Sequence, residues 1–140
     1  MNNDIISFYN IENITDIYDS IDRINDKCTH YDASKIVYKI LKNMYRYIGD
    51  NKWEFLDKQD NQWKIDTVRR KLKTDIKTVV ADIITKRYLY LYINNINNDD
   101  FYNKYTLNKM LSFSYKMKND KFISVVIKEA QSFFDIHRYD

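Results

Sequence analysis

The chain has 140 residues, with 23 basic and 20 acidic side chains and a formal net charge of +3 at pH 7. This length suits one domain with a single core, and a hydrophobic content of 44% excludes an intrinsically disordered chain. The absence of proline and the single glycine exclude a turn-rich β-sandwich and argue for helices joined by polar loops.

The cellular location is predicted from cysteine usage and from the N-terminal residues. Cys28 is the only cysteine, so no intrachain disulfide forms, and a reducing compartment is expected. The first eight residues lack the basic and long apolar regions of a signal peptide. No apolar stretch is long enough to span a membrane. We therefore expect an intracellular protein that is not secreted and has no membrane partner.

Charge is distributed unevenly along the chain. Residues 1–26 contain six acidic side chains and one basic side chain, whereas residues 64–90 contain eight basic and three acidic side chains. Such asymmetry within one domain points to a partner of defined charge. It also suggests that the acidic N-terminal segment, residues 1–30, lies against a basic face of the protein.

Two helices are predicted before residue 50. Isoleucines at positions 14, 17, 21 and 24 recur at helical spacing, with Asn13 or Thr15 as the N-cap. A second helix is expected over Ala33–Tyr47, with Asp32 as its N-cap and Gly49 at its stop. Its apolar face comprises Val37, Ile40, Leu41, Met44 and Ile48.

A β-hairpin is predicted between the helical segments. Aromatic and polar residues alternate in Trp53–Leu56 and again in Gln62–Ile65, which suits a half-buried strand. The polar residues 57–62 supply turn chemistry. Trp53, Phe55 and Trp63 are interpreted as structural aromatic residues, and both tryptophans are expected to pack in the core.

Three further helices are predicted after the hairpin. Asp66 or Thr67 caps a long helix, and the alternating Tyr88–Ile93 segment continues it because no turn signal intervenes. Residues 94–100 form a loop, a weaker helix covers 101–117, and a final amphipathic helix begins near Asn119 or Asp120. The apolar ladder of the long helix comprises Val68, Leu72, Ile76, Val79, Val80, Ile83 and Ile84. The apolar residues of the weaker helix are Tyr105, Met110, Leu111 and Phe113, and those of the final helix are Phe122, Ile123, Val126, Ile127, Ala130, Phe133 and Phe134.

These elements predict a mainly α protein. We expect one compact domain over residues 1–140, with about five helices and one small β-hairpin near residues 53–65.

Catalytic and metal chemistry are poorly supported by the sequence. No glycine-rich loop is present for binding phosphates. Cys28 and His30 resemble half of a metal site, but the only other histidine is His137 and a closed zinc site needs four such ligands. We expect no enzymatic activity, no metal and no cofactor.

Two basic stripes are the candidate nucleic-acid-binding residues. Four basic residues recur at helical spacing on the second predicted helix, and four lie at the start of the third. Such stripes neutralise backbone phosphates without reading sequence, although a solvated helix face has the same pattern. The eight residues are Lys35, Lys39, Lys42, Arg46, Arg69, Arg70, Lys73 and Lys77.

The order of these features resembles a known family. A Tyr-rich helix end is followed by Trp53-x-Phe55, a polar turn and Trp63, then by the long basic helix and the Phe122–Asp135 segment. This arrangement is similar to the helicase-associated N-terminal domain of viral and phage primase–helicases, of the poxvirus and giant-virus type, which precedes a superfamily 3 helicase core. The resemblance covers residues 32–135.

The resemblance implies a non-enzymatic viral accessory module. It would bind DNA without sequence specificity, or a helicase or other replication protein, in the host-cell cytoplasm or at a viral replication site. No Walker motif or primase active site is present, so no catalytic residue is carried over. The alternatives are an all-helical viral protein that binds a helix of a host protein and a virion structural component. The sequence leaves the oligomeric state open.

Overall fold

The computed structural model of the chain describes residues 3–24, 29–94 and 104–137. In chain order they form α1 (Asn3–Phe8), α2 (Ile14–Asp22), α3 (His30–Leu41), β1 (Tyr45–Gly49), β2 (Lys52–Asp57), β3 (Gln62–Ile65), α4 (Arg70–Asp75), α5 (Ala81–Asn94), α6 (Lys104–Lys116) and α7 (Asp120–Phe134). A 3₁₀ turn, Thr67–Arg69, precedes α4, and a π-helical segment, Ile76–Val80, joins α4 to α5. The mainly α prediction is confirmed, although this part of the chain holds more helices than the five expected and a three-stranded sheet.

The N-terminal helices belong to the core. α2 begins as predicted, because the side chain of Asn13 accepts a hydrogen bond from the backbone of Asp16 at 3.0 Å. Ile17 and Ile21 of α2 are fully buried against α3 and α5. The short helix α1, which the sequence analysis did not predict, adds the partly buried Ile5 and Ile6.

Helix α3 differs from its prediction at both ends. Thr29, and not Asp32, is the N-cap, and Asp32 instead completes a capping box by accepting the Thr29 backbone N–H at 3.1 Å. The helix ends at Leu41, although Ala33–Tyr47 was predicted.

The residues after α3 form strand β1 because they fit the sheet better than a helix. Tyr45 pairs with Phe55 and Tyr47 pairs with Trp53 in an antiparallel ladder, and aromatic residues favour such pleated positions. Gly49 has a φ of +96°, which suits its place at the bulge before β2. The helical pattern was therefore extended too far.

The hairpin of β2 and β3 confirms its prediction to within one residue at each end. Leu56 pairs with Trp63, and Asp57 pairs with Gln62. The side chain of Asp57 accepts the backbone N–H of Gln59 at 3.0 Å and thereby shapes the turn.

The two tryptophans lie on opposite faces of the sheet. Trp53 is fully buried and contacts Tyr47 and Phe134 edge to face. Trp63 is only half-buried and lies beneath the guanidinium of Arg46, 4.3 Å from the ring centroid. Core packing is therefore confirmed for Trp53 and wrong for Trp63, while Phe55 packs partly buried against the core.

An unusual turn connects the sheet to α4. Asp66 is buried, and its carboxylate accepts the backbone N–H groups of Lys71 and Leu72, both at 2.9 Å. Val68 and Arg69 adopt left-handed φ angles of +47° and +57° to close this turn. The side chain of Asp66 thus binds N–H groups at the start of α4 as predicted, although the residue at the N-cap position is Arg69. Val68 was wrongly placed on the apolar ladder, since 65% of it is exposed.

The C-terminal helices agree with their prediction where the structure describes them. Residues 70–94 run continuously through α4, the π-helical segment and α5, so the Tyr88–Ile93 segment is helical as expected. The side chain of Asn119 caps α7 by accepting the Phe122 N–H at 3.0 Å. Residues 95–103, Cys28 and the Tyr105 side chain lie outside the described part, and so do the predictions for them.

Candidate nucleic-acid interface

The first predicted basic stripe does not form one helix face. Lys35 and Lys39 lie on α3, Lys42 is the residue at the C-cap of α3, and Arg46 lies on β1. The predicted spacing required a helix through residue 46. Because the chain turns into a strand after Leu41, Arg46 is displaced from the line of the three lysines.

Acidic side chains from the N-terminal segment neutralise part of this stripe. The Lys39 ammonium lies 3.0 Å from the carboxylate of Asp16 and donates to the hydroxyl of Ser20 at 2.7 Å. The Lys42 ammonium lies 3.1 Å from Glu12, and this hydrogen bond lowers the pKa of the Glu12 carboxyl. The expectation that the acidic segment lies against a basic face is confirmed for these two lysines.

Lys35 and Arg46, the first and last residues of the first stripe, lie on different elements, α3 and β1. Arg46 pairs with Glu54 on the neighbouring strand at 2.6 Å while it covers the ring of Trp63. Lys35 is exposed, and its ammonium lies 5.1 Å from the ring centroid of Tyr31. Within the described residues, Lys35 is therefore the one member of this stripe that has no carboxylate partner.

Most of the second stripe is not neutralised by acidic side chains of the described residues. Arg69, Arg70 and Lys73 form no ion pair with any residue that the structure describes, whereas Lys77 pairs with Asp120 at the start of α7. The hydrogen bond from Lys77 lowers the pKa of the Asp120 carboxyl, and the charge of Lys73 contributes to the same shift. Lys73 and Lys77 therefore face the N-terminal end of α7.

A groove of about 390 Å³ lies between the turn before α4 and α7. Its cationic residues are Arg69 from the turn and Lys128 from α7, and its polar residues are Ser124, Gln131 and Asn51. None of the described residues that line it carries a carboxylate. The groove thus brings Arg69 together with Lys128, while Lys73 and Lys77 lie near Asp120 at the start of α7, and Arg70 follows Arg69 as the first residue of α4.

The turn geometry explains why Arg69 reaches the groove. Asp66 holds the first backbone N–H groups of α4, which leaves Val68 and Arg69 in a tight left-handed turn. This places Arg69 at the edge of the helix nearest α7. Sequence reasoning missed Lys128 because it is a single lysine on an amphipathic helix, and only the packing of α7 reveals its neighbours.

The described residues contain neither a candidate metal site nor a candidate membrane-spanning helix. They contain no group of three His, Cys, Asp or Glu side chains placed to hold a metal ion. None of the helices between residues 3 and 137 that the structure describes combines the length and the apolar character needed to cross a membrane.

No protein-family model matches this chain, and no curated protein matches it either. The likeness to helicase-associated domains therefore stays a prediction from the order of aromatic and basic segments.

Proposed function

We propose that this protein is a non-enzymatic accessory module that binds the phosphate backbone of DNA in the groove between the start of α4 and α7. One observation carries the proposal: Arg69, Arg70 and Lys73 lack ion-pair partners in the described residues, and Arg69 lines a groove together with Lys128 to which none of the described residues contributes a carboxylate. We name Arg69, Arg70, Lys73, Lys77 and Lys128 the α4–α7 basic groove.

The physical basis is the release of counterions from nucleic acid. A surface that neutralises about four phosphates gives a slope of roughly −3.6 in a plot of log K against log salt for duplex DNA. Binding should therefore weaken about a hundredfold between 50 and 200 mM salt. The contacts are to phosphates, so affinity should depend little on base sequence.

The biological setting proposed for this activity comes from the family resemblance. A module similar to a helicase-associated domain would hold DNA beside a viral helicase or another replication protein, inside the infected cell. The proposal assigns no reaction, metal or cofactor to this module.

The test is a charge reversal with a matched control. The variant Arg70→Glu, Lys73→Glu, Lys128→Glu changes exposed or half-exposed residues of the groove. The control Arg23→Glu, Lys52→Glu, Lys116→Glu changes three exposed residues outside both basic stripes and has the same net charge.

Fluorescence anisotropy with a labelled duplex and a labelled single strand would measure both variants. We expect the groove variant to lose at least a hundredfold in affinity at low salt and the control to lose less than fivefold, because only direct phosphate contacts depend on position. No binding by the unchanged protein at 50 mM salt, or equal losses in both variants, would overturn the proposal. A defined protein partner that binds both variants equally well would favour the interaction-protein alternative.

A further inference from the structure

A second cavity, of about 430 Å³, opens between α1, β2 and the start of α4. This volume lies within the range of small-molecule pockets in proteins. The cavity shares no residue with the α4–α7 basic groove, so an inference from it does not depend on the proposed function.

The polar floor of this cavity is Asp75. Its Oδ1 accepts a hydrogen bond from the Tyr9 hydroxyl at 3.0 Å, and its Oδ2 accepts one from the Tyr45 hydroxyl at 2.5 Å. Burial raises the pKa of Asp75 despite these two donors. Each carboxylate oxygen can accept a second hydrogen bond, so the floor suits a ligand that presents an N–H donor.

The walls and mouth of the cavity have different chemistry. Phe8 and Phe55 supply aromatic surface, and 49% of Phe8 is exposed at the mouth. The Lys58 ammonium lies 5.2 Å from the ring centroid of Phe8, and the Lys71 ammonium lies 4.6 Å from that of Phe55. Two cations thus flank the entrance to an aromatic cavity whose floor accepts hydrogen bonds. Asp57 also lines the cavity, and its carboxylate is paired with Lys64 at 2.6 Å.

The opposite charges at the floor and at the entrance of the cavity limit the class of ligand that fits it. The two lysines disfavour a simple cation, and the carboxylate at the floor disfavours a bare anion. A planar group with an N–H donor at one end and an anion at the other satisfies both ends and stacks on the walls.

We propose that this cavity binds a nucleotide whose base carries an exocyclic amino group. The base stacks on Phe8 and Phe55, the amino group donates to Asp75, and the phosphate contacts Lys58 and Lys71. The same chemistry is presented by a free nucleoside monophosphate and by the 5′-phosphorylated end of a nucleic-acid strand.

Isothermal titration calorimetry of the full chain with adenosine 5′-monophosphate tests this proposal. Phe8→Ala should weaken binding at least about fivefold, which is the loss of a modest base–aromatic stack. The matched control is Tyr31→Ala, because Tyr31 is 48% exposed and also has a lysine ammonium over its ring. The control should bind the nucleotide as the unchanged protein does.

Ligand variants test the two ends of the cavity. Inorganic phosphate and adenosine should each bind at least about tenfold more weakly than the nucleotide, because each lacks one set of contacts. Purine riboside 5′-monophosphate, which keeps the purine ring and the phosphate but has no N–H donor on its base, should also bind more weakly, and Lys58→Ala with Lys71→Ala should remove the preference for the phosphorylated ligand.

Three outcomes would overturn the proposal: no heat at millimolar nucleotide, equal losses in Phe8→Ala and Tyr31→Ala, or equal affinity for phosphate and nucleotide. A 5′-phosphorylated oligonucleotide that binds more tightly than the mononucleotide supports a strand end as the ligand, and the reverse order supports the free nucleotide. The groove variant Arg70→Glu, Lys73→Glu, Lys128→Glu should still bind the mononucleotide, so failure at one site is distinguishable from failure at the other.

Discussion

Removing the carboxylate of Asp66 should destabilise the protein far more than removing an exposed helix cap. The Asp66 side chain is buried and accepts the backbone N–H groups of Lys71 and Leu72, both at 2.9 Å. In Asp66→Ala the N–H of the fully buried Leu72 loses its partner, while the N–H at the exposed Lys71 can bind water.

The expected loss follows from these two bonds. An unsatisfied buried N–H costs about 1–3 kcal/mol, and the loss of a charged acceptor at a helix start adds about 1 kcal/mol. We therefore expect the free energy of unfolding to fall by about 3 kcal/mol, which corresponds to a drop in Tm of roughly 10 °C for a domain of this size. Asp66→Asn keeps one acceptor oxygen and should lose about half as much.

Urea unfolding followed by circular dichroism measures these differences. Asp32→Ala is the matched control, because Asp32 also accepts a backbone N–H at a helix start, but in an exposed position. The control should lose about 1 kcal/mol or less. A loss in Asp66→Ala that does not exceed the loss in Asp32→Ala would refute the argument that burial sets the magnitude.

Three further predictions use the same kind of measurement. Val68→Gly should raise the free energy of unfolding by about 1 kcal/mol, because a β-branched residue at a φ of +47° is strained and its exposed side chain loses little packing; a destabilised variant in urea titration would contradict this. Trp53→Ala should lower the free energy of unfolding by about 3–5 kcal/mol, because Trp53 is a fully buried aromatic residue. Trp63→Ala should lower it by about 1–2 kcal/mol, because the Trp63 ring is half exposed and is stabilised mainly by the Arg46 cation. Equal losses in thermal unfolding would show that both rings pack alike. Burial raises the pKa of Asp75 above its ordinary value of 3.8, so protonated Asp75 stabilises the folded state fully below pH 3.8, and this stabilisation is lost as the pH rises through the raised pKa. Asp75→Asn should flatten this decline in a pH series of urea unfolding. An unchanged dependence of the free energy of unfolding on pH would contradict the assignment to Asp75.

Local patterns predicted much of the fold correctly. Asn13, one of two predicted caps for α2, and the start of α7 near Asn119 or Asp120 were predicted correctly, because a helix start depends on residues within one helical turn. The hairpin was identified because its turn and its alternation lie within a few residues.

The face of Trp63 could have been derived from the predicted hairpin. Trp53 and Leu56 are three residues apart on one strand, so they point to opposite faces. Leu56 pairs with Trp63, and paired residues share a face. The register therefore places the two tryptophans on opposite faces of the sheet. Composition and aromatic character alone do not predict this.

Strand β1 was missed for a different reason. Met44 and Ile48 continue the apolar spacing of α3, so the helical pattern has no local stop before Gly49. The chain leaves the helix at Leu41 because Tyr45 and Tyr47 gain partners in Phe55 and Trp53. Those partners belong to a strand that lies later in the sequence.

The sequence by itself determined where the apolar ladders, the caps and the hairpin lie, because each depends on neighbours within a few residues. Only the tertiary structure decided which cations remain unpaired. Lys39 and Lys42 are neutralised by Asp16 and Glu12, which are more than twenty residues away in the chain. Among the described residues, Asp120 is the carboxylate that pairs with a cation of the α4–α7 basic groove, whereas Arg69 and Lys128 line the groove beside Ser124. Charge in a sequence is a property of residue type, whereas the charge available to a ligand depends on which elements pack together.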